Sequence, residues 1–201
     1  MVAQTARAVA HKRESRLRGV EIEEAIQNLH VVRKFSSDPG SDDDVAAILN
    51  AGRRAGSSKN LQRWHFIVVR QRERLTRLAQ VGPFAGHLAG GALAIALVTP
   101  DPGAADSPMS VMWDLGRAAQ NMVLVAWSRG LGSVPATVYD HDLCRQILAY
   151  PEDRHCEYIL NFGHPAAAAT LTRPLRSGGR LPLSAIVFNE RWGQPSNVAV
   201  E

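Results

Sequence analysis

Ala55-Gly56-Ser57-Ser58-Lys59-Asn60-Leu61-Gln62-Arg63-Trp64 runs directly into His65-Phe66-Ile67-Val68-Val69. The second half is β-branched and aromatic, is bounded by a polar run starting at Arg70, and predicts a strand. The first half is dense in small hydroxyls and amides, groups that hydrogen-bond a ligand's heteroatoms while letting the backbone come close. Taken alone, the same run also serves as a polar loop in which Ser and Asn make local turns. Just upstream, Ser41 precedes Asp42, Asp43 and Asp44, and the apolar positions Val45, Ile48 and Leu49 follow. An N-cap with acidic first-turn residues predicts a helix over 42–55. The polar loop therefore joins a helix to a strand.

Outward from this unit, Val20, Ile22, Ala25, Ile26 and Leu29 approximate one helical face. Residues 1–18 are rich in alanine and charge and read as a flexible basic arm, with one domain over 19–201. Arg72–Gln80 predicts a short amphipathic helix, and Ala92–Val98 a buried strand ended by Thr99-Pro100-Asp101-Pro102-Gly103. Residues 103–110 read as a surface loop. Met112–Trp127 is apolar on nearly every face, so such a helix needs cover all round, inside the domain or across a subunit interface. Leu131–Pro135 predicts a turn, Asp140 a cap for a helix to about Ala149, Tyr158–Phe162 a strand, and Ala185–Phe188 a last strand. Strands alternating with helices indicate an α/β or α+β domain.

With 45% hydrophobic and 21% charged residues, the 201-residue chain has ordinary globular composition. No segment approaches the roughly 18 apolar residues of a membrane span. No long apolar stretch follows the N-terminal Arg7, Lys12, Arg13, Arg16 and Arg18, so a cytoplasmic protein is expected. Cys144 and Cys156 lie outside any metal-ligand spacing and read as reduced thiols. A net charge of +4 suggests anionic ligands. The scattered arginines and the lack of an aromatic-and-basic motif argue against nucleic acid and leave a phosphate site. No catalytic triad, metal cluster or carboxylate pair is visible. His87 and His141 read as surface residues, His164 as a turn residue, and Trp113 as core or interface packing.

The segment from Ala55 to Trp64 resembles the nitroreductase family's Ala-Pro-Ser-Ser-x-Asn-x-Gln-Pro-Trp, with Gly56 and Arg63 in place of the prolines. Further matches follow in order. Ala25-Ile26 with Arg33-Lys34-Phe35 resembles the opening helix and basic phosphate segment. Ala118-Ala119-Gln120-Asn121-Met122, with Gly130-Leu131-Gly132-Ser133, resembles the central helix and its Gly-Leu-Gly turn. Phe162-Gly163-His164-Pro165 resembles the strand exit, and Arg180-Leu181-Pro182-Leu183 with Arg191-Trp192-Gly193 resembles the C-terminal signature. The resemblance spans about residues 20–193.

That resemblance implies an α+β sandwich, a mostly antiparallel sheet flanked by helices, in an intertwined homodimer with two FMN groups at its interface. It implies phosphate contacts from His30, Arg33 and Arg180, and flavin-ring or ribityl contacts from Ser57, Ser58, Asn60 and Gln62, with Ser58 serving across the interface. Val134–Val138 matches the turn that packs on one ring face, through Pro135, Ala136 and Thr137, and points an N–H toward N5. Two departures stand at the phosphate end. Leu29 and Val31 replace an arginine and a hydroxyl, and Gly178 replaces a basic residue, for which Arg176 or Lys34 could compensate. The implied activity is ping-pong: NAD(P)H gives hydride to FMN N5, and a small flat acceptor such as a nitroaromatic or quinone then takes the electrons. The cofactor carries the chemistry, so no protein residue is expected to be catalytic. Two alternatives stay open. One is a flavin-dependent oxidase of a biosynthetic intermediate, of azoline or cyclodipeptide type, working with a second subunit. The other is a non-catalytic flavin-binding or interaction protein.

Overall fold

The computed structural model describes residues 22–38, 40–171 and 179–195. The N-terminal arm, Arg176 and Gly178 lie outside them. Among the described residues the α-helices are α1 (Ile22–Asn28), α2 (Asp42–Arg53), α3 (Arg72–Leu78), α4 (Ser110–Ser128) and α5 (His141–Leu148). The strands are β1 (His65–Val69), β2 (Leu93–Pro100), β3 (Gly132–Thr137) and β4 (Arg154–Gly163), hydrogen-bonded in the order β1-β2-β4-β3. Every neighbouring pair is antiparallel. The sheet carries helices on both faces, so the α+β sandwich expected from the sequence is what the chain adopts.

Local chemistry sets these elements. Ser41 caps α2 by accepting from the Asp44 amide, and the Asp44 carboxylate accepts from the Ser41 amide in return, a reciprocal capping box. Asp44 is only 3% exposed, and Arg129 Nε donates to it at 2.6 Å. Burial alone would raise its pKa, but the bonds from Ser41 and Arg129 outweigh that and hold it below the usual carboxylate value. In β2 the side chains alternate between two cores. Leu93, Ile95 and Leu97 meet α2 and α4, whereas Ala94, Ala96 and Val98 meet α3 and α5. Burial on both faces explains why this strand is a continuous apolar run.

Two expectations change. Leu131–Pro135 is no turn: Gly132–Thr137 forms the edge strand β3, where Pro135 is tolerated because its missing N–H faces away from β4. Ala185–Phe188 is no strand within this chain. Leu183–Ala185 forms a 3₁₀ turn, Phe188 makes a single bridge to Pro195, and Ile186 is 55% exposed. No described strand lies beside it to complete a ladder. Within one chain α4 is buried along one line, Val111, Leu115, Ala118, Met122 and Ala126, at helical spacing. Its opposite side leaves Gly116, Arg117 and Gln120 exposed and Ala119 and Val123 half-buried, while Trp113 is 72% exposed and does not enter the core.

The segment after α1 is stitched across the end of the sheet. Val31 bridges Ser133, the Val32 amide donates to the Ser133 carbonyl at 3.0 Å, and Ser36 N donates to His164 O at 2.8 Å. Two glycines permit this. Gly132 and Gly163 are register partners on β3 and β4, and a Cβ on them would meet Val32 at 2.5 Å and Phe35 at 2.9 Å respectively. The glycines of the two short motifs thus make room for the chain that carries His30 and Arg33. A Gly132→Ala variant should lose roughly 1–3 kcal/mol of stability through overpacking. The loss should be read as a lower thermal or urea midpoint; an unchanged midpoint would show that Val32 moves aside freely.

Candidate functional site

A cleft of about 470 Å³ opens on the half-exposed side of α4. The α1 exit supplies Leu29, His30 and Val31, and α4 supplies Gly116, Ala119, Gln120 and Val123. The sheet adds Ser133, Pro135 and Leu160, and Arg180 closes the lining. His30, Pro135 and Arg180, drawn from three distant parts of the chain, thus line one cleft. Leu29 and Val31 make that end of the cleft apolar where the family pattern has donors.

The other expected contacts divide. Each ring nitrogen of His30 faces a backbone carbonyl, Nδ1 that of Asn28 at 2.8 Å and Nε2 that of Thr170. The imidazole therefore ties α1 to the Ala168–Leu171 turn, and neither ring nitrogen is free for the phosphate contact expected of His30. Arg33 is exposed and is not on the cleft lining, but its charge reaches His87. Ala136 turns its side chain into the opposite core, at 1% exposure. Since Ser133 O already faces the free edge to meet Val32, ladder alternation turns Thr137 N–H to that edge and Ala136 N–H toward β4. Among 135–137, only Thr137 offers an amide donor at the edge.

The polar loop has a built conformation. Ser58–Asn60 forms a 3₁₀ turn, Gln62 N donates to Ser57 Oγ at 3.0 Å, and Gln62 Nε2 donates to Asn60 Oδ1 at 3.1 Å. Lys59, Asn60 and Gln62 have φ of 51°, 55° and 47°, a region that Lys and Gln rarely adopt. Such residues persist only where surroundings hold them, and they cluster at ligand sites. Here the anchor is Asp114 on α4, 8% exposed, whose carboxylate accepts from Ser58 N at 2.8 Å. Gly56, at a proline position of the family pattern, leaves room for the Arg117 guanidinium, with Nη2 2.7 Å from where a Cβ would stand. Ser58, Asn60 and Gln62 are exposed and Ser57 half-buried, and none of the four lines the cleft within one chain.

Several polar groups escaped the sequence reading. Asp114 left a readable trace, a lone carboxylate inside Val111-Met112-Trp113-Asp114-Leu115. His87 and His141 are half-buried rather than superficial. Asn161 Nδ2, fully buried on β4, donates to His87 O at 2.8 Å. Burial, aided by the Arg33 charge, lowers the His87 pKa, while the Pro135 carbonyl works against the shift. His164 does follow the strand end, with Nδ1 3.3 Å from Gly130 O. Cys144 and Cys156 are free and buried; the hydrogen bond with Cys144 and burial hold the Cys156 thiol well above its usual value. No metal cluster was legible in the spacing, yet folding brings His141, His155 and Glu157 together.

The nitroreductase family's sequence profile matches residues 26–86 and 84–164. An Archaeoglobus fulgidus protein with the provisional name NADH dehydrogenase/NAD(P)H nitroreductase is 35% identical over 140 residues, 67% of this chain and 79% of that protein. A crystal structure of a Parabacteroides distasonis protein, provisionally named in the same way, superposes with a TM-score of 0.73 at 25% identity, covering 85% of this chain and 98% of that one. An FMN-dependent nitroreductase of Clostridium difficile gives 0.64 at 25% identity, over 71% and 87%.

Because the Ser58 amide bonds a carboxylate, Asp114→Ala should cost about 1.5–3 kcal/mol locally. Amide exchange at Ser58 should quicken about ten- to a hundredfold while the core strands keep their protection. Unchanged exchange at Ser58 would mean that the loop holds itself.

Proposed function

The chain belongs to the nitroreductase family, and we propose that it is an FMN-dependent oxidoreductase that takes hydride from NAD(P)H and reduces small flat acceptors, nitroaromatics or quinones. The observation that supports this most is the convergence of His30, Pro135 and Arg180 on one cleft beside α4.

The cleft suits such a cofactor. Its volume lies within the roughly 300–1,000 Å³ of small-molecule sites, and its lining is mainly apolar with a few placed polar groups. Ala119, Val123 and Leu160 offer an apolar bed for a flat ring, and Gln120 and Ser133 offer hydrogen bonds. Arg180 supplies a fixed cation for a phosphate, and the nearby Arg33 segment supplies a second. FMN when bound supplies a ring that accepts hydride from one substrate and releases electrons to the next. The protein orients it and excludes water. The Thr137 N–H, at the free edge of β3, would be available to stabilise negative charge developing on a bound ring.

The loop Ser57–Gln62 belongs to the same reading through a homodimer. It is exposed and off the cleft in one chain, yet its backbone is held in an uncommon conformation. A partner's loop laid over the cleft would complete the ring contacts, with Asn60 and Gln62 as donors and acceptors and Ser58 serving across the interface. The half-covered side of α4 and the exposed Trp113, Leu181, Ile186 and Trp192 supply apolar surface for that interface.

Purified protein should be yellow and release FMN on denaturation. Arg180→Ala should weaken FMN binding about ten- to a hundredfold, the worth of a charged hydrogen bond. Asn60→Ala should weaken it about two- to tenfold. A colourless protein that takes up no FMN would overturn the reading, and unaltered affinity in both variants would overturn the residue assignments.

A further inference from the structure

Away from the cleft, three side chains that the proposed reaction leaves unused meet beside the start of β4. His155 and Glu157 come from β4 and His141 from the first turn of α5; one ligand atom of each lies within 4.8 Å of the others. Glu157 Oε2 is 2.9 Å from His155 Nε2 and 3.8 Å from His141 Nε2. The two imidazole rings lie 4.5 Å apart, tilted by 37°, and all three residues are half-buried.

The backbone is shaped to make this meeting. Along β4, Tyr158 pairs with Leu97 and Cys156 with Val98, so Glu157 is the extra residue of a β-bulge. Bulges re-aim side chains. With this one, Cys156 and Ile159 enter the same core although three positions apart, and Glu157 reaches His141. On the other side, the Asp140 carboxylate accepts from Leu143 N at 2.8 Å, capping α5 and fixing His141 at its first position.

Hydrogen bonding alone leaves the cluster incomplete. It accounts for His155 with Glu157, but His141 Nε2 at 3.8 Å is beyond hydrogen-bond range and its buried Nδ1 has no partner among the described residues. In a tetrahedral zinc site, bonds of about 2.0–2.1 Å put ligand atoms about 3.3 Å apart. The 2.9 and 3.8 Å separations straddle that spacing, and the two imidazole donors lie within 4.8 Å of each other. The neighbouring cation Arg145 is already engaged, 3.6 Å from Asp142 and 5.5 Å over the Tyr150 ring.

We propose that His141, His155 and Glu157 bind a divalent transition-metal ion of the zinc type, clamping α5 to β4. Two imidazoles and a carboxylate are a zinc donor set, and water completes the coordination from the open groove that His141 lines with Gln80, Gly82 and Tyr139. The ion favours the folded state, because an unfolded chain does not hold the three groups together.

The test uses the full-length, untagged, flavin-bearing chain after treatment with a chelator. Zn²⁺ titrated calorimetrically should bind saturably at one ion per chain and raise the thermal midpoint. H155N, E157Q and H141N should each weaken binding by about tenfold or more. Cu²⁺ in the same site should show nitrogen coupling from two imidazoles in its paramagnetic resonance spectrum, reduced to one in H155N. FMN content, read on the same samples, reports the flavin cleft separately and should not change. If a strand variant impairs folding, H141N at the start of α5 carries the test. Absence of saturable Zn²⁺ binding, or binding that E157Q and H141N leave unaltered, would overturn the proposal.

Discussion

The line of side chains Leu115, Ala118, Met122 and Ala126 holds α4 against α2 and the inner face of the sheet. Burying a large apolar side chain is worth about 1.5–3 kcal/mol, so this seam fixes the helix's rotation firmly. Fixing the rotation decides the rest. It points Asp114 at the amide of Ser58, sets Arg117 against Gly56, and turns Gly116, Ala119, Gln120 and Val123 outward as the floor of the cleft. A helix that is apolar nearly all round yet covered on one side by its own chain is both scaffold and binding surface.

The second requirement is that Val31–Phe35 lie across the end of the sheet, which only small residues at 132 and 163 permit. This gives physical content to two glycine-bearing motifs that in sequence look like turn punctuation. The glycines matter for what packs upon them. The same motif misled the strand assignment, because Gly and Pro inside Gly132–Thr137 suggest a break, whereas an edge strand tolerates both.

Elements with strong local chemistry were legible: the Ser41-capped helix, β1 at His65–Val69, the largely apolar β2 and the Asp140-capped helix. So were three cleft residues, through motif resemblance. What stayed illegible depends on contacts between distant segments. The burial of His87 beside Asn161, the bulge at Glu157 and the meeting of His141 with His155 arise only once β4 is paired. Ala185–Phe188 failed for the opposite reason. Its apolar pattern is that of a strand, but the described residues supply no adjacent edge for it to join.

Flavin chemistry at the α4 cleft is the central claim, and rapid mixing without oxygen tests it most directly. The flavin absorption of the purified chain should bleach within the mixing experiment when NADH or NADPH is added, and should return when a quinone or nitroaromatic follows. Absorption that neither nucleotide bleaches would contradict the account, and turnover of an azoline or cyclodipeptide by that same unbleached protein would assign the flavin to oxidation instead.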